Sequence, residues 1–201
     1  MNNLNDSKFK EKLLKIFPQR YIKETDYTNS KIKPGDIGAL SFYLWGPVGC
    51  GKTQLVVDEL AEQILDEKID DEYDPYFYTE KIKFYNATEL MALLRSLFDK
   101  NNSNKNFSNI EDFLEYITRK GLYAFDYIIL DDLGAEKQSE WVQETFYLLI
   151  NKLYENESPS LIITSNKSLQ EIAESLGDRV ASRIAEMCEV IKLEGKDRRI
   201  K

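Results

Sequence analysis

The chain has 201 residues, 42% of them hydrophobic, a formal net charge of -8 and no histidine. That length suits one domain with a full core, the mixed-sign charges exclude global disorder, the acidic balance excludes coating nucleic acid by charge alone, and imidazole chemistry is excluded outright. No apolar run is long enough to cross a bilayer, the N-terminus lacks a secretory apolar core, and the distant Cys50 and Cys188 show no metal spacing, so a cytoplasmic protein with two reduced thiols is expected.

Phe9, Leu13, Ile16 and Phe17 recur at helical spacing and predict a helix from about Asp6 to Phe17, with Asp6 or Ser7 as cap. Lys8, Lys10, Lys12 and Lys15 take its other positions, so from Met1 to Lys23 the cations outnumber the acids. Such a basic amphipathic helix either packs on its own domain or docks on a partner. "KPGD", Lys33 to Asp36, is a turn signal. "ALSFYLWG", from Ala39, reads as a buried strand ended by glycine, followed by a glycine-rich loop and a helix from about Lys52 to Leu65. An acidic surface loop from Asp66 leads to a second strand, "KIKFYNA" from Lys81, and a helix capped by Thr88. "DKNNSNKNFSN" reads as a polar loop with no core residue. A helix opens on a capping box, Ser108 to Glu111, and closes at Gly121.

"YAFDYIILDD" is a third buried strand, followed by a long amphipathic helix with Trp141, Phe146, Leu149, Ile150 and Leu153 inward. "SLIITSN" from Ser160 is a fourth strand, two helices follow, and "EVIKLEG" is the last strand. Strands alternating with helices predict a parallel sheet with helices on both faces.

Four groups of residues carry chemistry. Gly46, Pro47, Val48, Gly49, Cys50, Gly51, Lys52 and Thr53 fit G-x-x-x-x-G-K-[ST] between a strand and a helix, with Gln54 next in that helix. Glycines let successive N–H groups point at phosphates, the helix adds its positive end, Lys52 reaches the β- and γ-phosphates, and Thr53 offers a hydroxyl to Mg²⁺. In "YIILDD", Asp131 and Asp132 end a buried strand; the first suits the Mg²⁺ shell and the second an attacking water. Asn166 ends "IITSN", where it serves either a γ-phosphate or lytic water, or simply a helix cap. Arg179 and Arg183 are four apart on one helix face, suited to phosphate or carboxylate recognition or to a salt-bridged surface.

In this order the set resembles the AAA+ ATPases. More narrowly, "FPQRY", "GPVGCGKT", "FYNATELMALL", "IILDDLGAEK", "EWVQETFYLLIN", "IITSN", "LGDRVASRI" and "LEGKDRR" are similar to blocks of the DnaC/DnaI-type helicase loaders and the related IstB-type transposition helpers. The resemblance implies an α/β P-loop NTPase (AAA+) three-layer fold with little or no lid domain. Residues 1–30 would form a short N-terminal helix or arm and 31–201 the ATPase domain.

The same resemblance implies that residues 46–54 bind ATP, that Thr53 and Asp131 hold Mg²⁺, and that Asp131 and Asp132 are the paired acids. It implies that Asn166 is the sensor and that Arg183, supported by Arg179, is a finger donated to a neighbour. Asp132 stands where many such proteins carry Glu, which implies slow turnover. The implied setting is DNA replication, with an ATP-dependent homo-oligomer, a replicative helicase as partner, weak oligomer-dependent binding of single-stranded DNA, and no membrane. A helper ATPase directing a transposase on duplex DNA is the alternative, followed by a non-hydrolysing ATP-dependent interaction module and a small-molecule kinase. Tyr21 and Ile22 are implied for the adenine pocket, Arg198 or Arg199 for a second sensor, and Lys100, Lys105 and Phe107 for DNA.

Overall fold

The computed structural model describes residues 7–22, 41–66, 81–98, 106–121, 125–156 and 159–195. The "KPGD" turn, nearly all of the acidic loop after Asp66, Asp6, Lys23, Lys100, Lys105, Arg198 and Arg199 lie outside them. In chain order the elements are α1 (Ser7–Ile16), a 3-10 turn (Gln19–Tyr21), β1 (Phe42–Trp45), α2 (Lys52–Asp66), β2 (Ile82–Asn86), α3 (Ala87–Ser96) and α4 (Ile110–Ile117). They continue with β3 (Tyr127–Leu133), α5 (Glu140–Asn156), β4 (Ser160–Ser165), α6 (Leu169–Leu176), α7 (Asp178–Met187) and β5 (Glu189–Lys192).

The strands form one sheet in the order β2-β3-β4-β1-β5, every pairing parallel. Because side chains alternate along a strand, a sheet covered on both faces needs continuous apolar runs. Each run divides as that rule requires. Phe42 and Leu44 of β1, Ile129 of β3 and Ile162 of β4 join one core cluster with α1 and α2, through Leu13, Phe17, Val56 and Leu60. Tyr43, Ile128, Leu130, Leu161 and Ile163 face the other cluster, built by α3 to α7. The basic helix α1 therefore rests on the domain itself. Leu13 and Phe17 are buried, and the Phe17 ring meets Phe84 of β2 edge-on at 5.9 Å.

Local chemistry differs from expectation at three points. α3 is capped by Asn86 rather than Thr88, with its side-chain oxygen accepting from the N–H groups of Thr88 and Glu89. α4 is capped by Asn109, whose side chain accepts from Asp112 N–H, while the Asp112 carboxylate accepts from Ser108 N–H. The cap is thus shifted by one residue, as two adjacent cap formers, Ser108 and Asn109, permit, and the return bond from Asp112 reaches the residue before the cap rather than closing a capping box. Phe107, expected in a coreless polar loop, is half-buried, with its ring 5.3 Å from Phe113 and 5.1 Å from Tyr116. One aromatic was enough to anchor the described end of that stretch, residues 106–109, to the core, and a ring so engaged is no open platform for a base.

Candidate functional site

Sheet order brings three of the four sequence groups together. β1 lies between β4 and β5, and β4 lies between β1 and β3. The loop after β1, Asn166 after β4 and the acids of β3 therefore share one carboxyl edge of the sheet, where open α/β sheets bind ligands.

The glycines of the loop have distinct reasons. Gly49 and Gly51 have φ of 76° and 98°, in the left-handed region that favours glycine. Gly46 is required by proximity: a Cβ there would lie 2.1 Å from the Leu193 carbonyl oxygen, in the segment after β5. Gly46 N–H also donates to Ser165 O of β4 at 3.2 Å. Gly46→Ala must therefore displace backbone, at about 1–3 kcal/mol. The expected result is a melting temperature lower by about 3–10 °C, read by thermal circular dichroism; an unchanged melt would show that this contact is not held in solution.

Lys52 is buried, at 5% exposure. Its ammonium donates to the carbonyl oxygens of Gly46 and Pro47, each at 2.9 Å, and to Asn166 Oδ1 at 2.7 Å. The structure thus joins the loop lysine to the predicted sensor. Asn166 is exposed, and it is not the cap of α6. Ser168 takes that place, in a full capping box with Glu171, whose carboxyl is held below its usual range by the Ser168 N–H and hydroxyl.

Asp131 is fully buried. Its Oδ1 accepts from Thr53 Oγ1 at 2.6 Å and from Thr164 Oγ1 at 2.7 Å. Burial pushes its carboxyl above the ordinary range, and the two hydroxyl donors pull it back. The second oxygen, Oδ2, is buried without a hydrogen-bond partner. An unpaired buried polar atom costs about 1–3 kcal/mol, more if charged, so a cation beside Thr53 and Asp131 would satisfy it. The donor set is hard oxygen, which suits Mg²⁺ bound jointly with phosphates. Among the described residues no cluster of three or more His, Cys, Asp or Glu offers a metal cage of its own.

Asp132 departs from strand geometry. Leu130 pairs with Ile163 but Leu133 pairs with Ser165, so β3 carries one extra residue there. Asp132 has φ 58°, the only non-glycine with positive φ among the described residues. On a regular strand neighbouring acids point to opposite faces; a bulge releases that constraint. Thr164 Oγ1 accepts from the freed Asp132 N–H at 2.9 Å while donating to Asp131. One hydroxyl thereby ties the two acids together. Sequence reasoning missed Thr164, although a polar residue inside the apolar run "LIIT" was the available signal.

Gln54 donates to Tyr21 O at 2.9 Å, which attaches the 3-10 turn to the start of α2. Tyr21 and Ile22 are half-buried against the α1–α2 cluster. Pro47 and Val48 are exposed on the loop, and Cys50 is buried and free. Also missed was Glu136, a buried carboxylate that accepts from Gly134 N–H while its Oε1 has no partner. Burial raises its carboxyl above the ordinary range.

Arg183 and Arg179 part company. Arg179 is exposed, with no ion pair or ring contact among the described residues. Arg183 is half-buried, its guanidinium 4.9 Å from the centroid of Tyr147 and 5.7 Å from that of Tyr154, both on α5. One of its terminal nitrogens is buried without an acceptor.

Among the described residues no helix is long and apolar enough to cross a membrane. The family described as IstB-like ATP binding protein matches residues 39–201. The chromosomal replication initiator protein DnaA of Leptospira biflexa is 30% identical over 151 residues, 75% of this chain but 29% of that protein. The chain thus spans less than a third of the DnaA sequence it matches. The crystal structure of the DnaC helicase loader is 29% identical, with a TM-score of 0.55 over 77% of this chain and 78% of its own. A replication initiator DnaA bound to AMPPCP and single-stranded DNA shares the fold, with a TM-score of 0.55 at 19% identity over 79% of this chain and 42% of its own. The contacts of Lys52 with Asn166 and of Thr53 with Asp131, on a sheet ordered β2-β3-β4-β1-β5, and the match from residue 39 onward lead to one conclusion: the chain belongs to the family of IstB-like ATP-binding proteins and has the α/β P-loop fold of its AAA+ neighbours DnaC and DnaA.

Proposed function

We propose that this chain is an ATP-hydrolysing AAA+ protein that acts in the cytoplasm, in DNA replication, as a helicase-loader-like factor that oligomerises with ATP on single-stranded DNA. The observation that carries the reading is the Lys52–Asn166 bond at 2.7 Å beside the Thr53–Asp131 bond at 2.6 Å. A lysine, a sensor amide, a hydroxyl and a carboxylate then converge where a terminal phosphate would lie. Residues 46–54 supply the backbone cradle, with Lys52 leaving the loop carbonyls for phosphate oxygens. Thr53 and Asp131 are the residues that would hold Mg²⁺, which neutralises charge on the β- and γ-oxygens when bound. Asp132 orients the attacking water and takes its proton. Arg183, supported by Arg179, contributes from a neighbouring copy, so that full turnover needs an assembly. A replicative helicase is the proposed partner, on the likeness to a structure titled a helicase loader.

A second reading is favoured by the family match itself: a transposition helper working on duplex DNA. ATP hydrolysis measured with and without each form of DNA separates them. The expected result is stimulation by single strands and little by duplex, growing with protein concentration. Stimulation by duplex alone transfers the protein to the transposition reading. No hydrolysis with either DNA leaves a non-hydrolysing ATP-dependent interaction module.

A further inference from the structure

Arg20 lies outside every motif that defines the phosphate site. It belongs to the 3-10 turn and is exposed. Its guanidinium lies 4.6 Å from the centroid of the Tyr21 ring, and no ion pair engages it among the described residues. The turn that carries it is held firmly. Gln54, the residue directly after Thr53, donates to Tyr21 O at 2.9 Å and to Asp58 Oδ1 at 2.8 Å. On the other side buried Phe17 meets Phe84 of β2.

This anchoring places Arg20 on the wall of a cleft of about 420 Å³, with Ile16, Pro18, Phe84, Asn86 and Glu89. Asn86 is the register partner of Asp131 across the β2–β3 pairing. The cleft therefore lies at the same sheet edge as the two acids.

We propose that Arg20 is a cis contact for the terminal phosphate, by which the N-terminal turn distinguishes a nucleoside triphosphate from a diphosphate. The inference rests on the phosphate-site reading above. The loop amides, and Lys52 through its contact with the β-phosphate, serve either nucleotide. A γ-phosphate brings further negative charge towards Asp131 and Asp132, and a like-charge approach of that kind needs a cation on the acid side. Arg20 is a cation anchored at that edge, on a turn fastened to the helix that follows the loop, and its guanidinium offers paired donors that match phosphate oxygens.

The test uses the full chain, fluorescently labelled ADP and a non-hydrolysable ATP analogue, with Arg20→Ala, Arg20→Lys and, as reference, Lys52→Ala. Arg20→Ala is expected to weaken the triphosphate analogue about tenfold or more while ADP stays within about twofold. Arg20→Lys is expected to recover part of the loss, because charge returns without the planar fork. Arg20 is exposed, so thermal melts of its variants should overlay the parent. Equal weakening of both nucleotides, or weakening of neither, overturns the proposal. If Lys52→Ala binds both nucleotides as the parent does, the phosphate site itself is wrong and the proposal falls with it; a Lys52→Ala loss with no selective Arg20 effect rejects Arg20 alone.

Discussion

Replacing Arg183 with Ala is expected to lower ATP turnover by about 10³-fold or more, the range in which arginine fingers act, while ATP binding stays close to that of the parent. A group that stabilises only transition-state charge lowers turnover without weakening the ground state. The proposed role draws on how Arg183 is held. Two tyrosines of α5 hold its guanidinium, at 4.9 and 5.7 Å from their ring centroids, and Tyr154 is itself fixed by donating to Glu186 at 2.9 Å. No carboxylate pairs with the cation among the described residues, and one nitrogen stays buried and unbonded. Arg183→Lys keeps the charge but loses the planar fork and its stacking, so lysine is not expected to restore the rate. Mixing Arg183→Ala with Lys52→Ala is the decisive measurement. Each protomer supplies what the other lacks, so mixed assemblies should recover activity. Mixed oligomers that form, yet stay inactive, would end the idea of a contact across subunits.

Asp132→Asn is expected to slow hydrolysis by about 10²- to 10⁴-fold, the usual contribution of a positioned acid or base, with nucleotide binding and melting temperature unchanged. Asparagine is chosen for a structural reason. Asp132 has φ 58°, a region that asparagine enters with little strain and alanine does not. The Asp132 N–H bond to Thr164 survives the exchange, since it is made by the backbone. The loss then reports the carboxylate alone. Single-turnover hydrolysis checks this; an Asn variant that keeps the parent rate would remove Asp132 from the chemistry.

Much of the site was legible because its residues are close in sequence or dictated by phosphate chemistry. The loop from Gly46 to Thr53 combines glycines at positive φ with a buried lysine at the start of a helix, and few other uses demand that spacing. Asp131 was legible because a carboxylate ending a run of buried strand residues is costly without a task. The caps of α3 and α4 were misplaced by one or two residues because several neighbouring residues compete for the same backbone donors. Phe107 was misread because its partners, Phe113 and Tyr116, meet it only in the folded chain.

Sequence by itself determined that strands and helices alternate, that the sheet is parallel, and that a glycine-rich loop with a lysine joins the first strand to its helix. Those follow from local periodicity and from short-range stereochemistry, which a chain carries wherever it goes. Tertiary structure alone decided that Asn166 meets Lys52, that Thr164 ties the two acids through an extra residue in β3, and that Gln54 fastens the N-terminal turn beside them. These partners stand between 32 and 114 positions apart along the chain. Strand order, which no local pattern encodes, is what brings Lys52, Thr53, the two acids and Asn166 within hydrogen-bond reach of one another or of a shared partner.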